Sequence, residues 1–127
     1  MLLLYFAAEG DQMKRLIIAE SSGVISGVLQ EALWQDYEVH ICKHAKELPA
    51  VLEELRPEAL IINLFLNGTD GISALAHARY KPAIILALTY IVNKHILTAA
   101  HAAGIQDILL LPCKTSHIIK HLKNLIM

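Results

Sequence analysis

The residues able to do chemistry in this chain gather where apolar runs stop. Leu16-Ile17-Ile18-Ala19 runs into Glu20-Ser21-Ser22-Gly23. Ala59-Leu60-Ile61-Ile62 is interrupted by Asn63, and the stretch closes on Asn67-Gly68-Thr69-Asp70-Gly71. Ala83-Ile84-Ile85-Leu86-Ala87-Leu88 ends at Thr89-Tyr90, and Asp107-Ile108-Leu109-Leu110-Leu111 is stopped by Pro112-Cys113. A near-continuous apolar run reads as a strand buried on both faces. In open α/β sheets, sites form outside the carboxyl ends of such strands. Glu20, Asn63 and Thr89 would then share one edge of a sheet. The chemistry they offer is narrow. A carboxylate can help hold a cation, and a hydroxyl can bond an anion. The amide of Asn63 is a very poor nucleophile.

The other candidates have simpler readings. His117 and His121 stand four apart on one helix face, a spacing that zinc can use. No third ligand is placed beside them, so they are expected to be solvated surface histidines. His40, His44, His77, His95 and His101 form no cluster in the sequence. Cys113, at the rim of the same edge, is expected to be an inert small residue. Asp70 is expected to serve a turn or a helix cap, and Lys114 to solvate the start of the last helix. Asn67-Gly68 reads as a turn, as does Asp70-Gly71, where glycine would tolerate positive φ.

The elements that must position these groups follow from periodicity. After the first strand, a serine N-cap is expected, then a helix carrying Val24, Ile25, Val28, Leu29, Ala32 and Leu33. Tyr37-Glu38-Val39-His40-Ile41-Cys42 alternates as a half-exposed edge strand does. Ala45, Leu48, Val51, Leu52 and Leu55 mark a second helix, with Pro49 either in its first turn or kinking it, and Pro57 closes it. The third helix is expected over residues 71–79. Asn93 can cap a fourth carrying Ile96, Leu97 and Ala100, with Gly104 where a C-terminal glycine belongs. Thr115 caps a last helix with Ile118, Ile119, Leu122, Leu125 and Ile126 inward. Strand and helix alternate five times, which implies a parallel sheet covered on both faces and joined by right-handed crossovers.

The chain of 127 residues is one domain by length and long enough to need no disulfide scaffold. Hydrophobic residues make up 55% against 18% charged, which excludes a disordered chain. The net charge of −1 gives no strong field for nucleic acid or membrane. Cys42 and Cys113 read as free thiols in a reducing cytoplasm. Met1-Leu2-Leu3-Leu4-Tyr5-Phe6-Ala7-Ala8 is apolar but short and without a basic flank. It reads as neither a signal peptide nor a span, which needs about 20 apolar residues. Residues 1–13 are taken as an N-terminal extension and 14–127 as the domain, with Met13 an alternative start.

These five units resemble the receiver domain of bacterial response regulators (CheY-like). The resemblance rests on the stretch from Pro57 to Gly71, on Ala87-Leu88-Thr89, and on Ala102-Ala103-Gly104 leading to Leu111-Pro112. It implies a flavodoxin-like (βα)5 doubly wound sheet with strand order 2-1-3-4-5. It also implies a role in two-component phosphorelay signalling or transcription control in the cytoplasm. In that family an aspartate ends the third strand and accepts a phosphoryl group. Two acidic residues after the first strand help hold Mg²⁺, and a hydroxyl and a lysine contact the phosphoryl oxygens. Here Asn63 stands at the acceptor position, Glu20 and Ser21 at the acidic pair, Thr89 at the hydroxyl, Leu111 at the lysine and Ile108 at the aromatic switch. Three parts of one mechanism are altered together. The expectation is a pseudo-receiver: not an enzyme, without Mg²⁺ or other cofactor, acting through a protein partner or homodimer. The face implied is that of the fourth helix, fifth strand and fifth helix, carrying Tyr90, His95, His101, Lys114, His117 and Lys120. An output domain in cis would be controlled, with no direct nucleic-acid or membrane binding by this domain. The alternatives are a receiver with altered but working phosphorylation or metal binding, and a flavodoxin-like flavin carrier using the Glu20–Gly23 loop and Tyr90.

Overall fold

The computed structural model describes residues 13–66 and 70–126. Five parallel strands form one sheet in the order β2-β1-β3-β4-β5. They are β1 (Lys14–Ala19), β2 (Tyr37–Cys42), β3 (Ala59–Asn63), β4 (Ile84–Thr89) and β5 (Asp107–Leu110). The helices are α1 (Val24–Leu33), α2 (Leu48–Leu55), α3 (Gly71–Ala76), α4 (Lys94–Ala102) and α5 (Thr115–Ile126), with a 3-10 turn at Ala45–Glu47. This is the parallel sheet covered on both faces that the alternation predicts, in the strand order that the receiver resemblance implies. Residues 1–12 of the expected 1–13 extension, and the Asn67-Gly68 turn, lie outside the described residues.

Every residue of β3 is buried because the strand is central and covered on both faces. Successive side chains alternate between two cores. Ile17, Ala19, Leu60, Ile62, Ile85 and Ala87 pack with Leu48 and Leu52 of α2, Leu75 of α3 and Ala100 of α4. Leu16, Ile18, Ile61, Leu86 and Leu88 pack with Leu29 and Leu33 of α1 and Ile118 and Leu122 of α5. Each fully buried Leu or Ile side chain contributes about 1.5–3 kcal/mol relative to exposure.

Several local expectations need correction. The N-cap of α1 is Gly23 at φ 81°, not a serine, and it makes no side-chain cap bond. Ser22 instead accepts from Val24 N–H through Oγ at 3.2 Å. The third helix stops at Ala76, short of Arg79. The fifth strand ends at Leu110, one residue before Leu111, and the Leu111–Pro112 peptide is cis. Leu97, on α4, is 47% exposed. Other expectations hold. Asn93 Oδ1 accepts from Ile96 N–H at 2.9 Å, Pro49 falls in the first turn of α2, and Gly104 adopts φ 88° after α4.

The amino end of the sheet is tied by Arg15. Its Nε meets Glu38 at 3.0 Å and its guanidinium donates to the Leu55 carbonyl at 2.8 Å, while its backbone N–H bonds Glu58. Tyr80 Oη donates to the Pro57 carbonyl at 2.7 Å, and the Arg56 guanidinium lies 5.2 Å from the Tyr80 ring centre. His40 also bonds Glu38, at 2.7 Å. That hydrogen bond, followed by Arg15, holds the Glu38 carboxyl below its ordinary value. Beyond β4, the Gln106 side chain accepts from Ile85 N–H at 2.7 Å and donates to the Ala83 carbonyl.

Gly71 opens α3 without a positive φ, contrary to the turn expectation; it is needed for closeness. A Cβ there would lie 2.9 Å from the Asn63 carbonyl oxygen and 3.2 Å from Leu64 Cα. Both neighbours are backbone, so they yield little. Gly71→Ala is expected to lower stability by about 1–3 kcal/mol, read as a lower urea midpoint with an unchanged slope. An unchanged midpoint would show that the loop moves aside freely.

Candidate functional site at the carboxyl edge of the sheet

The order β1-β3-β4 brings Glu20, Asn63 and Thr89 to the carboxyl ends of three adjacent strands, as the sequence predicts. What each side chain does there was not legible from the sequence. Glu20 is 2% exposed. Its Oε2 accepts from Ser22 N–H at 2.9 Å, and its Oε1 accepts from Ser22 Oγ at 2.8 Å and from Ser26 N–H at 3.2 Å. Ser26 is the third residue of α1, so Glu20 satisfies one of the orphan donors of that helix. The carboxylate thus supplies the cap that Gly23 lacks. Ser21 is half-buried beside it.

Asn63 is 7% exposed, and its Oδ1 accepts from Phe65 N–H at 2.9 Å. Thr89 is fully buried; its Oγ1 donates to the Ile91 carbonyl at 3.0 Å and accepts from Ile91 N–H at 3.3 Å. Both bend onto backbone two residues ahead. Among the described residues, no hydrogen bond joins Glu20, Asn63 and Thr89 to one another.

Leu111 is buried, with its backbone N–H on the Thr89 carbonyl at 2.7 Å. Its side chain belongs to the same core cluster as Ile18 and Leu88, so that core extends one residue past the end of β5. Ile108 is half-buried and packs on the other core. Asp70 caps α3 by accepting from Ile72 N–H at 2.9 Å, and Lys114 is exposed ahead of α5.

Burial pushes the thiols of Cys42 and Cys113 above their ordinary value, which disfavours the thiolate. Correction is needed for His121. It is not simply solvated, because its Nδ1 lies 2.6 Å from Asp107 Oδ2. The pairing spans two elements, so no spacing within α5 announces it. His117 is exposed. Among the described residues, no group of three or more His, Cys, Asp or Glu side chains is arranged to hold a metal. Also among them, no helix is long and apolar enough to cross a membrane.

No family model matches the chain. Solved structures do. A CheY-like receiver domain protein from Methanospirillum hungatei aligns with a TM-score of 0.81 at 20% identity, over 89% of this chain and 93% of that one. Chemotaxis protein CheY4 from Vibrio cholerae aligns with 0.79 at 21% identity, over 89% and 98%. A putative response regulator from Chloroflexus aurantiacus aligns with 0.75 at 25% identity, over 91% and 98%. The chain has the receiver fold. Within that receiver fold, the end of the central strand carries an amide and the start of α1 is held by a carboxylate that the loop itself uses.

Two measurements follow from this geometry. Glu20→Gln replaces an acceptor facing N–H donors by a donor, and is expected to cost about 1.5–3 kcal/mol in urea unfolding. A neutral result would mean that the loop does not depend on the carboxylate. In the native protein iodoacetamide is expected to label half-buried Cys113 slowly and Cys42 only after unfolding. Mass mapping showing Cys42 labelled first would contradict the burial order.

Proposed function

We propose that this chain is an atypical receiver domain that signals by protein–protein contact without aspartyl phosphorylation. One observation carries the reading. The side chain that ends the central strand is an amide, and its oxygen is held by the N–H of Phe65. Phosphoryl acceptance needs a nucleophilic oxygen, a cation to gather the phosphate and a positive charge to stabilise what develops. Asn63 does not supply the first. The donor set does not fit Mg²⁺, because the remaining carboxylate, Glu20, already takes three donors of the roughly four it can accept. Leu111, buried in the core, does not supply the third.

On this reading the domain turns over no substrate and carries no resident cofactor. It serves two-component signalling or transcription control by presenting a surface to a partner, and an output domain in cis is the element it would control. The surface is the face of α4, β5 and α5. The domain itself does not touch nucleic acid or lipid.

Incubation with acetyl phosphate and Mg²⁺, followed by intact-mass analysis, is expected to leave the mass unchanged. A phosphoryl adduct would overturn the reading in favour of a receiver with shifted chemistry. Asn63→Asp is expected to label only slightly under the same conditions, because Ser21 and Leu111 remain. Complete labelling of that variant would assign the whole block to Asn63.

A further inference from the structure

The amino edge of the sheet, opposite the candidate site, holds a groove of about 250 Å³. Its apolar walls are Tyr37 where β2 begins, Ala59 where β3 begins, Ile84 where β4 begins, and Ile126 at the end of α5. All four belong to the core that carries Leu16 and Ile61: Ala59 is buried in it, and the others pack against it half-buried. The groove is thus the open mouth of that core. Lys14 and Arg15 line it from β1. Arg15 is already taken by Glu38 and the Leu55 carbonyl, while exposed Lys14 has no ion-pair partner among the described residues.

The chain enters β1 at this same edge. Met13 stands on a second hollow that shares Arg15 and Glu58 with the groove. Ahead of Met13 the sequence reads Leu2-Leu3-Leu4-Tyr5-Phe6, apolar and uncharged, then Ala7-Ala8-Glu9-Gly10-Asp11-Gln12. Gly10-Asp11 suits a turn, and Glu9 and Asp11 bring the charge that Lys14 lacks beside it. The lengths agree as well. From Tyr37 on β2 to Ile84 on β4 there are three strand spacings, about 14 Å. The five residues Leu2–Phe6, extended, cover about 16 Å. The six-residue tether Ala7–Gln12 reaches about 20 Å, enough to leave Met13, reverse and return. So short a tether presents the segment to the groove at an effective concentration on the order of millimolar. That favours filling by the same chain over filling by a second copy.

We propose that Leu2–Phe6 folds back into this groove of its own chain, with Glu9 and Asp11 turning beside Lys14. Apolar side chains that water would otherwise surround then meet Tyr37, Ala59, Ile84 and Ile126, and the mouth of the core is closed. The segment is a strap across the base of the domain, far from the edge that carries Glu20, Asn63 and Thr89.

The test uses the full chain, labelled at isoleucine methyls and aromatic rings. Nuclear Overhauser contacts are expected from the Tyr5 or Phe6 ring to the methyls of Ile84 or Ile126. Leu4→Asp/Tyr5→Asp places a charge on each side of an extended segment. It should erase the Phe6 contacts, lower the urea midpoint and shift amides around Arg15, Ala59 and Ile84. Ala83→Glu, at an exposed position on the groove, should erase the same contacts while amides away from the groove keep their native shifts. Absence of these contacts in the wild type would overturn the inference, as would ring contacts made instead with Val24 and Val28 on the exposed side of α1. Contacts seen only between chains in a mixture of differently labelled samples would assign the groove to a second copy and overturn it too. So would transfer of the ring signals to phosphatidylcholine vesicles, or an unchanged midpoint and spectrum in the double variant.

Discussion

A carboxylate withdrawn from water must find donors, and Glu20 finds them in its own loop. A buried unpaired charge would be far costlier than any single contact the loop makes. The path from Ala19 to Ser26 is therefore constrained to deliver two backbone N–H groups and one hydroxyl to the two oxygens. Gly23 allows that path by taking positive φ, at a point where a side chain would be strained. Fixing Ser26 fixes the first turn of α1, and with it the angle at which Leu29 and Leu33 enter the core. Asn63 and Thr89 repeat the device on a smaller scale, each folding onto the backbone two residues on. The carboxyl edge is a set of self-contained turns.

The fold was legible because its signals are one-dimensional. Apolar runs at Leu16–Ala19 and Ala59–Ile62 announce strands buried on both faces, and Asn93 and Gly104 mark the ends of α4 before any packing is known. The positions of Glu20, Asn63 and Thr89 were legible for the same reason, since topology alone carries strand ends to one edge. Their bonding was not. A glutamate after a strand reads as a potential cation ligand whether its oxygens face solvent or a serine. The His121–Asp107 pair joins residues fourteen apart on different elements. The part played by Gly71 depends on how near the Asn63 carbonyl passes, which no dipeptide reveals. Leu97 sits at helical spacing with Ala100 yet is 47% exposed, while Ala100 is the residue of α4 that reaches the core.

The receiver fold here does not depend on a charged side chain at the end of β5. The sheet order, the two cores and the cis Leu111–Pro112 peptide stand with an apolar side chain at Leu111, because that residue packs with Ile18 and Leu88. A lysine there would have to lead its charge out of the same core.

The clamp at the opposite end has a mechanical meaning. Arg15 ties β1 to Glu38 of β2, to the end of α2 and to Glu58 ahead of β3, while Tyr80 pins the Pro57 carbonyl. Segments fastened together at one end act as a stiff base. Losing the Arg15 side chain would release Glu38 and the Leu55 carbonyl together, so one residue governs how the second strand and the second helix meet the first.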